Sequence, residues 1–383
     1  MRIVFTGGGS GGHLTPIIAV AREVKRIAEE ERILDLELYY LGPDAMAPDI
    51  AAAEGIIASR IPAGKFRRYF SLWNAVDAFT VVLGAVAAFW KMFLIMPDAV
   101  FSKGGFGSFP VTLASRLYRI PFMVHDSDAV PGRVNRWAGK WARRVAVSFP
   151  GAARYFPAAR TALTGVPIRS RISGGKRTEG QEVFGLYAGR PALFALGGSQ
   201  GAAVINQNLI QILRELLAAY ALIHQAGEKN FEDVRLETAA ILEGEVLRGG
   251  PRPEGGGETH YRLMPFLSED QMRSAYALSD LVIARAGGTV IFELAAVAKP
   301  AILIPIKIAA QDHQRANAYE YARSGAAVVI EEDNLTPSVL LHEIKTLMAD
   351  PERRAKMSEA AKAFARSNAA EVIAKELLAL GLH

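Results

Sequence analysis

The sequence contains no cysteine, which excludes a disulfide framework and any thiolate metal site. It also lacks a long hydrophobic span. The uncharged run from Ala78 to Trp90 is bounded by Asp77 and Lys91 and falls short of the roughly 20 residues that a membrane-crossing helix needs. No signal-peptide pattern precedes the first strand, because Met1 and Arg2 run straight into it, so a cytoplasmic location is the expectation. Half the residues are hydrophobic, a balance that excludes disorder as the main state. The formal charge of +5 points to acidic partners, meaning phosphates, nucleic acid or anionic lipid. Lys and Arg are spread along the chain without an aromatic-basic RNA module, so nucleic-acid binding is not expected.

What is present is an alternation of apolar strand-like runs with helical periodicity, the pattern of βαβ units in a parallel sheet. At 383 residues two domains are the natural division. The first unit opens MRIVFTGGGSGGHLTP, with Ile17, Val20, Ala21, Val24, Ile27 and Ala28 marking one helical face. Pro16 is expected in the first helical turn, with Thr15 as its cap. Further strands are expected in LELYYLG, AVFSKGG, FMVHD, RVAVSF and TALTGV. The polar stretch SGGKRTEGQEVFG reads as a connector, and PALFALGGSQGAAVINQNLIQIL then repeats the opening design. ALIHQAG, HYRLMPF, DLVIARAGG, PAILIPI and AAVVIEE follow as strands, and RGGPRPEGGGE reads as an exposed loop. Two such domains in tandem predict a cleft between the carboxyl ends of two sheets.

Gly7, Gly9 and Gly12 fit G-x-G-x-x-G, but a dinucleotide site also needs an acid at the end of the second strand, and LELYYLGP ends without one. A nicotinamide or flavin enzyme is therefore disfavoured. The loop keeps its other use: glycines let the backbone approach an oxygen-rich ligand, and the following helix points free N–H groups at it. SKGGFGSFP and ALGGSQGA are two more such loops. His13 stands near a helix start, where the dipole disfavours imidazolium and leaves a neutral ring able to accept a proton. It reads as a candidate general base, or as a polar capping residue. In ARAGGTVIFELAAVAKPAILIPIKIAAQDHQRANA a Gly287-Gly288-Thr289 turn precedes a helix expected near Val290. Glu293, in its first turn, could face sugar hydroxyls or simply favour the helix dipole. Asp312, His313, Gln314 and Asn317 form a polar group suited to hexose hydroxyls or to an ordinary helix start.

GGGSGGHLTP, SKGGFGSFPVTLAS, DAVPGRVNRW, GVPIR, GGSQGA, ARAGGTVIFELAAVAKP and DHQRANA occur in the order seen in the MurG family. The chain resembles these N-acetylglucosaminyltransferases, which convert lipid I to lipid II in peptidoglycan synthesis. The resemblance implies a GT-B glycosyltransferase fold, α/β, with two Rossmann-like doubly wound domains, and inverting transfer from UDP-GlcNAc to the 4-hydroxyl of an undecaprenyl-diphosphate-linked acceptor. It implies residues 1–165 as the acceptor and membrane-facing domain, 166–345 as the donor domain, and 346–383 as helices packing back toward the first domain.

On the same resemblance, Ser199 and Gln200 would meet the diphosphate or GlcNAc, Leu267 would lie by uracil, and Glu293 would hold ribose hydroxyls. Gly288 and Thr289 would bind phosphate, Arg169 would supply positive charge near it, and His313 and Gln314 would read sugar hydroxyls. The acceptor would meet Gly9, Ser10, Gly11, Gly12, Gly104, Gly105 and Gly107, with His13 as the base. No metal or other cofactor is implied. Where the family usually reads His-Glu-Gln-Asn, this chain has His125-Asp126-Ser127-Asp128. Asp126 could act there as acid or base, and Asp128 could accept sugar hydrogen bonds.

Lys65, Arg67 and Arg68 stand among Phe66, Tyr69, Phe70, Leu72 and Trp73, a mixture suited to the anionic inner leaflet, so peripheral attachment is expected. The helix after it reads as buried. Two alternatives stay open: a related glycolipid glycosyltransferase with another acceptor, and a non-catalytic UDP-sugar-binding protein. The hinge of a closing cleft is expected near Gly165 to Ser170.

Overall fold

A computed structural model describes residues 1–8, 11–43, 46, 48–64, 73–169, 171–186, 189–198, 201–247, 260–307 and 312–382, with main chain only at 11–13, 73–78 and 243–247. The chain forms two compact units, Met1–Arg169 with Arg366–His383, and Ser170–Ala365.

The first unit runs β1 (Arg2–Thr6), α1 (Gly11–Glu30), β2 (Glu37–Gly42), α2 (Pro48–Ala53), β3 (Ile56–Arg60), α3 (Trp73–Ile95), β4 (Ala99–Ser102), α4 (Phe109–Tyr118), β5 (Phe122–Asp126), α5 (Arg133–Ala138), β6 (Arg144–Val147) and β7 (Thr161–Leu163). Among the described residues these strands make one parallel sheet in the order β3-β2-β1-β4-β5-β6-β7. Every residue of β4 and β5 is buried, as expected when helices cover both faces of a parallel sheet. The order reverses between β1 and β4, which makes that pair the switch point where α/β sheets bind ligands.

The second unit runs α6 (Arg177–Phe184), β8 (Ala192–Leu196), α7 (Ala203–Gln211), α8 (Leu213–Ala219), β9 (Ala221–Gln225), α9 (Phe231–Leu247), β10 (Tyr261–Met264), α10 (Glu269–Leu278), β11 (Leu281–Ala284), α11 (Gly288–Ala296), β12 (Ala301–Leu303), α12 (His313–Ala322), β13 (Ala327–Val329), α13 (Pro337–Ala349) and α14 (Pro351–Phe364). Its parallel sheet has the order β10-β9-β8-β11-β12-β13, with its switch point between β8 and β11.

The final helix, α15 (Ala369–Gly381), belongs to the first unit. Ile373, Ala374, Leu377 and Leu378 join Ile17, Val20 and Val24 of α1 in one core, and Glu376 pairs with Arg144 at 2.9 Å. The unit boundaries differ from the expected 165 and 345. The first falls after Arg169, and residues 346–365 stay with the second unit, because Phe364 packs on Phe292 at 5.4 Å and Tyr321 at 5.0 Å.

Four local expectations are corrected. Helix α1 begins at Gly11, so Pro16 lies inside it and Thr15 is no cap. The missing proline N–H costs one bond in the second turn and the helix continues. The connector contains α6, whose Gly180 lies so close to α10 that a Cβ would come 2.6 Å from the Ser274 carbonyl. The strand β3 went unread because it is a mostly exposed edge strand. Helix α3 is not buried all round: Ala88 and Met92 face the core, while Phe79, Val82, Leu83, Val86, Trp90, Phe93 and Leu94 form an exposed apolar row at helical spacing. No helix among the described residues is long and apolar enough to cross a membrane. Lys65, Phe66, Arg67, Arg68, Tyr69, Phe70 and Leu72, the loop 248–258, and Ser170 of the expected hinge lie outside the described residues, as does the side chain of Trp73.

Candidate active site

In the first unit the loops after β1, β4 and β5 meet at the carboxyl edge of the sheet. Gly9 and Ser10 lie outside the described residues, while Gly11, Gly12 and His13 form the first turn of α1 with their side chains outside them. Gly104 and Gly105 have φ of 86° and 80°, in the region that only glycine enters at no steric cost. A side chain at Gly104 would also collide with the amide of Asn135, and one at Gly107 would collide with Pro43. Packing or backbone thus accounts for all three glycines without a ligand.

Asp126 is 2% exposed, and its carboxylate is taken up locally. Asn135 donates to Oδ2 at 2.7 Å, and the N–H groups of Gly132 and Asp128 donate at 3.2 and 2.9 Å. Asp126, expected from the sequence as an acid or base, thus has both oxygens buried and engaged by donors from the segment that follows it. Burial, then the charge of Asp128, push its carboxyl above the usual range, against Lys103, Asn135 and the Asp128 N–H. Lys103 is itself 4% exposed, with its ammonium held below the ordinary lysine range by burial and supported by Asp126 and Asp128. His125 is fully buried, and its Nε2 lies 3.0 Å from the Gly165 carbonyl. Burial, then the neighbouring Lys103, hold it neutral, so Nε2 carries the proton and donates to that carbonyl. Asp128 is half-buried. Asn135 and Lys103 were missed as individual residues, although both lie inside motifs that point to this edge.

In the second unit Ser199 and Gln200 lie outside the described residues. Across the switch point, α11 begins at Gly288, so Glu293 stands in its second turn rather than its first. Glu293 is 3% exposed and accepts a hydrogen bond from the Tyr276 hydroxyl at 3.1 Å. Gly287 has φ of −69°, and a Cβ there would meet nothing within 4 Å among the described residues. Neither backbone strain nor internal packing therefore requires a glycine at 287. Gly288 is buried and Thr289 half-buried.

Arg285, unassigned in the sequence, is 8% exposed and clamps the neighbouring loops. It donates to the Ile304 carbonyl at 3.1 Å and to Glu332 at 2.8 Å. Burial opposes ionisation of Glu332, but Arg285 and the Lys307 N–H outweigh it and hold its carboxyl below the usual range. Gln314 accepts from the Ile306 N–H at 3.1 Å, and Asn317 donates to the Ala286 carbonyl at 3.2 Å. These bonds bring the start of α12, with Asp312 and His313, beside α11. Leu267 is 1% exposed, while the adjacent Phe266 is 45% exposed. Arg169 is the last residue of the first unit and is half-buried.

Residues 3–147 match the family model for the glycosyltransferase family 28 N-terminal domain, and residues 192–375 match that for its C-terminal domain. A Clostridium kluyveri protein named UDP-N-acetylglucosamine--N-acetylmuramyl-(pentapeptide) pyrophosphoryl-undecaprenol N-acetylglucosamine transferase is 34% identical over 348 residues, covering 90% of this chain and 91% of that protein. A Clostridium perfringens protein of the same name is 35% identical over 354 residues, covering 92% and 91%. The crystal structure of Acinetobacter baumannii MurG aligns with a TM-score of 0.73 at 26% identity, covering 99% of each chain.

Proposed function

The chain belongs to glycosyltransferase family 28, and we propose that its two switch points transfer N-acetylglucosamine from UDP-GlcNAc to the 4-hydroxyl of the MurNAc of lipid I, giving lipid II. The fold is GT-B, with two Rossmann-like units. One observation carries the site assignment: among the described residues Gly287 needs to be glycine for neither φ nor packing, which favours close approach by a ligand as the physical reason. It opens α11 at the carboxyl edge of a switch point, where free N–H groups and the helix dipole favour a diphosphate.

In this reading Gly288 and Thr289 hold the donor diphosphate, Ser199 and Gln200 meet the diphosphate or GlcNAc, and Arg169 adds positive charge. Glu293, oriented by Tyr276, accepts from the ribose hydroxyls. The main chain of Leu267 meets uracil, and His313, Gln314 and Asp128 meet the sugar. The acceptor lies on Gly9 to Gly12 and on the main chain of Gly104, Gly105 and Gly107. His13 takes the proton of the acceptor hydroxyl as its oxygen bonds to the anomeric carbon and the bond to UDP breaks. Charge growing on the leaving phosphate falls at the α11 N-terminus. Asp126 anchors the loop that carries Asp128.

The test is UDP release from UDP-GlcNAc with and without a short-chain lipid I analogue, in wild type and His13→Ala. Acceptor-dependent release that collapses in the variant is expected. Release independent of acceptor would overturn the reaction, and an unaffected variant would overturn the base.

The exposed row of α3, together with the basic Lys65, Arg67 and Arg68 that precede it in sequence, supports peripheral attachment to an anionic membrane surface. Val86→Glu with Trp90→Glu should abolish sedimentation with phosphatidylglycerol vesicles while leaving turnover of the soluble analogue unchanged. Sedimentation equal to wild type would count against this attachment.

A further inference from the structure

A second concave site lies at the opposite, amino-terminal edge of the first unit's sheet. The cavity, of about 810 Å³, is lined by residues just ahead of β4, β5 and β6 and by the ends of α4 and α15. A strand of four or five residues separates it from the glycine loops, roughly 15 Å at the usual rise per residue.

Its lining is cationic and incompletely neutralised. Four arginines, Arg116, Arg119, Arg143 and Arg144, face two carboxylates, Asp98 and Glu376. Glu376 is taken by Arg144 at 2.9 Å, and Asp98 accepts from the Arg2 main-chain N–H at 2.7 Å. Among the described residues Arg116, Arg119 and Arg143 have no ion pair. The Arg116 guanidinium stacks 3.4 Å over the Trp141 ring, which fixes its plane and leaves its donors free to point into the cavity.

Arg119 caps α4 in the left-handed conformation, with φ of 60°, where glycine is the ordinary residue and a side chain is sterically disfavoured. A basic residue at the end of α4 is explained by the helix dipole, but a glycine with Arg116 behind it would serve that purpose without strain. Arg119 thus adds a third guanidinium to the cavity lining from a cap position that glycine could fill.

We infer that this cavity binds a phosphate group, with Arg116, Arg119 and Arg143 as its ligands and Trp141 as the platform that orients Arg116. Guanidinium forks match phosphate oxygens in charge and geometry. The chemistry suits a free phosphate ester or a lipid headgroup, and the site is separate from the transfer reaction.

Inorganic pyrophosphate and soluble dihexanoyl phosphatidylglycerol are titrated against the full chain, reading the part of the tryptophan fluorescence that Trp141→Phe removes. Vesicles of phosphatidylglycerol or phosphatidylcholine form a separate arm. The triple variant Arg116→Gln/Arg119→Gln/Arg143→Gln is expected to lose at least tenfold in affinity for one or both soluble ligands, with turnover of the soluble acceptor analogue unchanged. Loss confined to pyrophosphate identifies a free phosphate, and loss with phosphatidylglycerol in both forms identifies a headgroup. Equal binding by wild type and variant in every arm overturns the inference. Arg119→Gly, which relieves the backbone, should be at least as stable as wild type yet bind more weakly, so loss of binding cannot be put down to misfolding.

Discussion

The side-chain amide of Asn135 donates to Asp126 at 2.7 Å across the carboxyl edge of the first sheet, tying the start of α5 to the end of β5. The same amide blocks any side chain at Gly104, so one residue positions the loops after both β4 and β5.

Asn135→Ala removes a donor from a buried carboxylate, and hydrogen bonds to charged groups contribute about 1.5–3 kcal/mol. Urea unfolding should show a loss of that size. Asp126→Asn gives a pH test. A carboxyl with a raised folded pKa contributes stability that is complete below the unfolded value and lost as pH rises through the folded one. The midpoint of Asp126→Asn relative to wild type should therefore improve as pH rises above the ordinary aspartate value of about 4, and a difference that does not move with pH would remove the burial argument.

Gly287→Ala and Gly104→Ala should behave oppositely. At 287 the backbone already suits alanine, so stability should hold or rise by about 0.4–1 kcal/mol, while the KM for UDP-GlcNAc rises at least tenfold. At 104 the positive φ and the Asn135 amide forbid a side chain, and thermal unfolding should report severe destabilisation. An unchanged KM in Gly287→Ala would remove the main support for the donor site.

Tyr276→Phe should weaken UDP binding through Glu293 without touching the nucleotide. Glu293→Gln should bind UDP about tenfold more weakly and deoxy-UDP almost as wild type does, since only the ribose contact is altered. Calorimetry with both nucleotides decides this, and equal losses for the two would point to a purely structural carboxylate.

His224 lies fully within the second unit, between Tyr261 and Asn206 at 3.0 Å each, and burial lowers its pKa to about 4. A histidine with a depressed pKa contributes stability that is present above the unfolded value near 6.5 and lost as pH falls toward the folded one. Buried, neutral His125 acts in the same direction. Urea midpoints should drop between pH 6.5 and pH 4, and His224→Gln should flatten that slope.

Much of the fold is legible in the sequence because βαβ units are read locally. β1, β4 and β8 are short apolar runs ended by glycine loops, and α1 shows its buried face at Ile17, Val20 and Val24. The motif order also singled out the loops at both switch points. Illegible were the edge strand β3, whose exposed residues carry no apolar signal, and α6, whose glycines suggested a connector. The start of α1 was misplaced because Pro16 looks like a first-turn residue, although the glycine loop had already entered the helix.

The sequence by itself determined the two-unit α/β architecture, the absence of thiol chemistry and the set of glycine loops, because periodicity, composition and turn chemistry are local properties. Only the tertiary structure decided what each polar residue faces. Asp126 stands in a motif that suggests catalysis, yet three donors from the loop ahead hold it inside. Gly104 and Gly287 look alike in sequence, but one is demanded by the Asn135 amide and the other by nothing among the described residues. The exposed side of α3 and the arginine cavity are equally silent in one dimension, since burial and charge pairing depend on which distant segments fold against a residue.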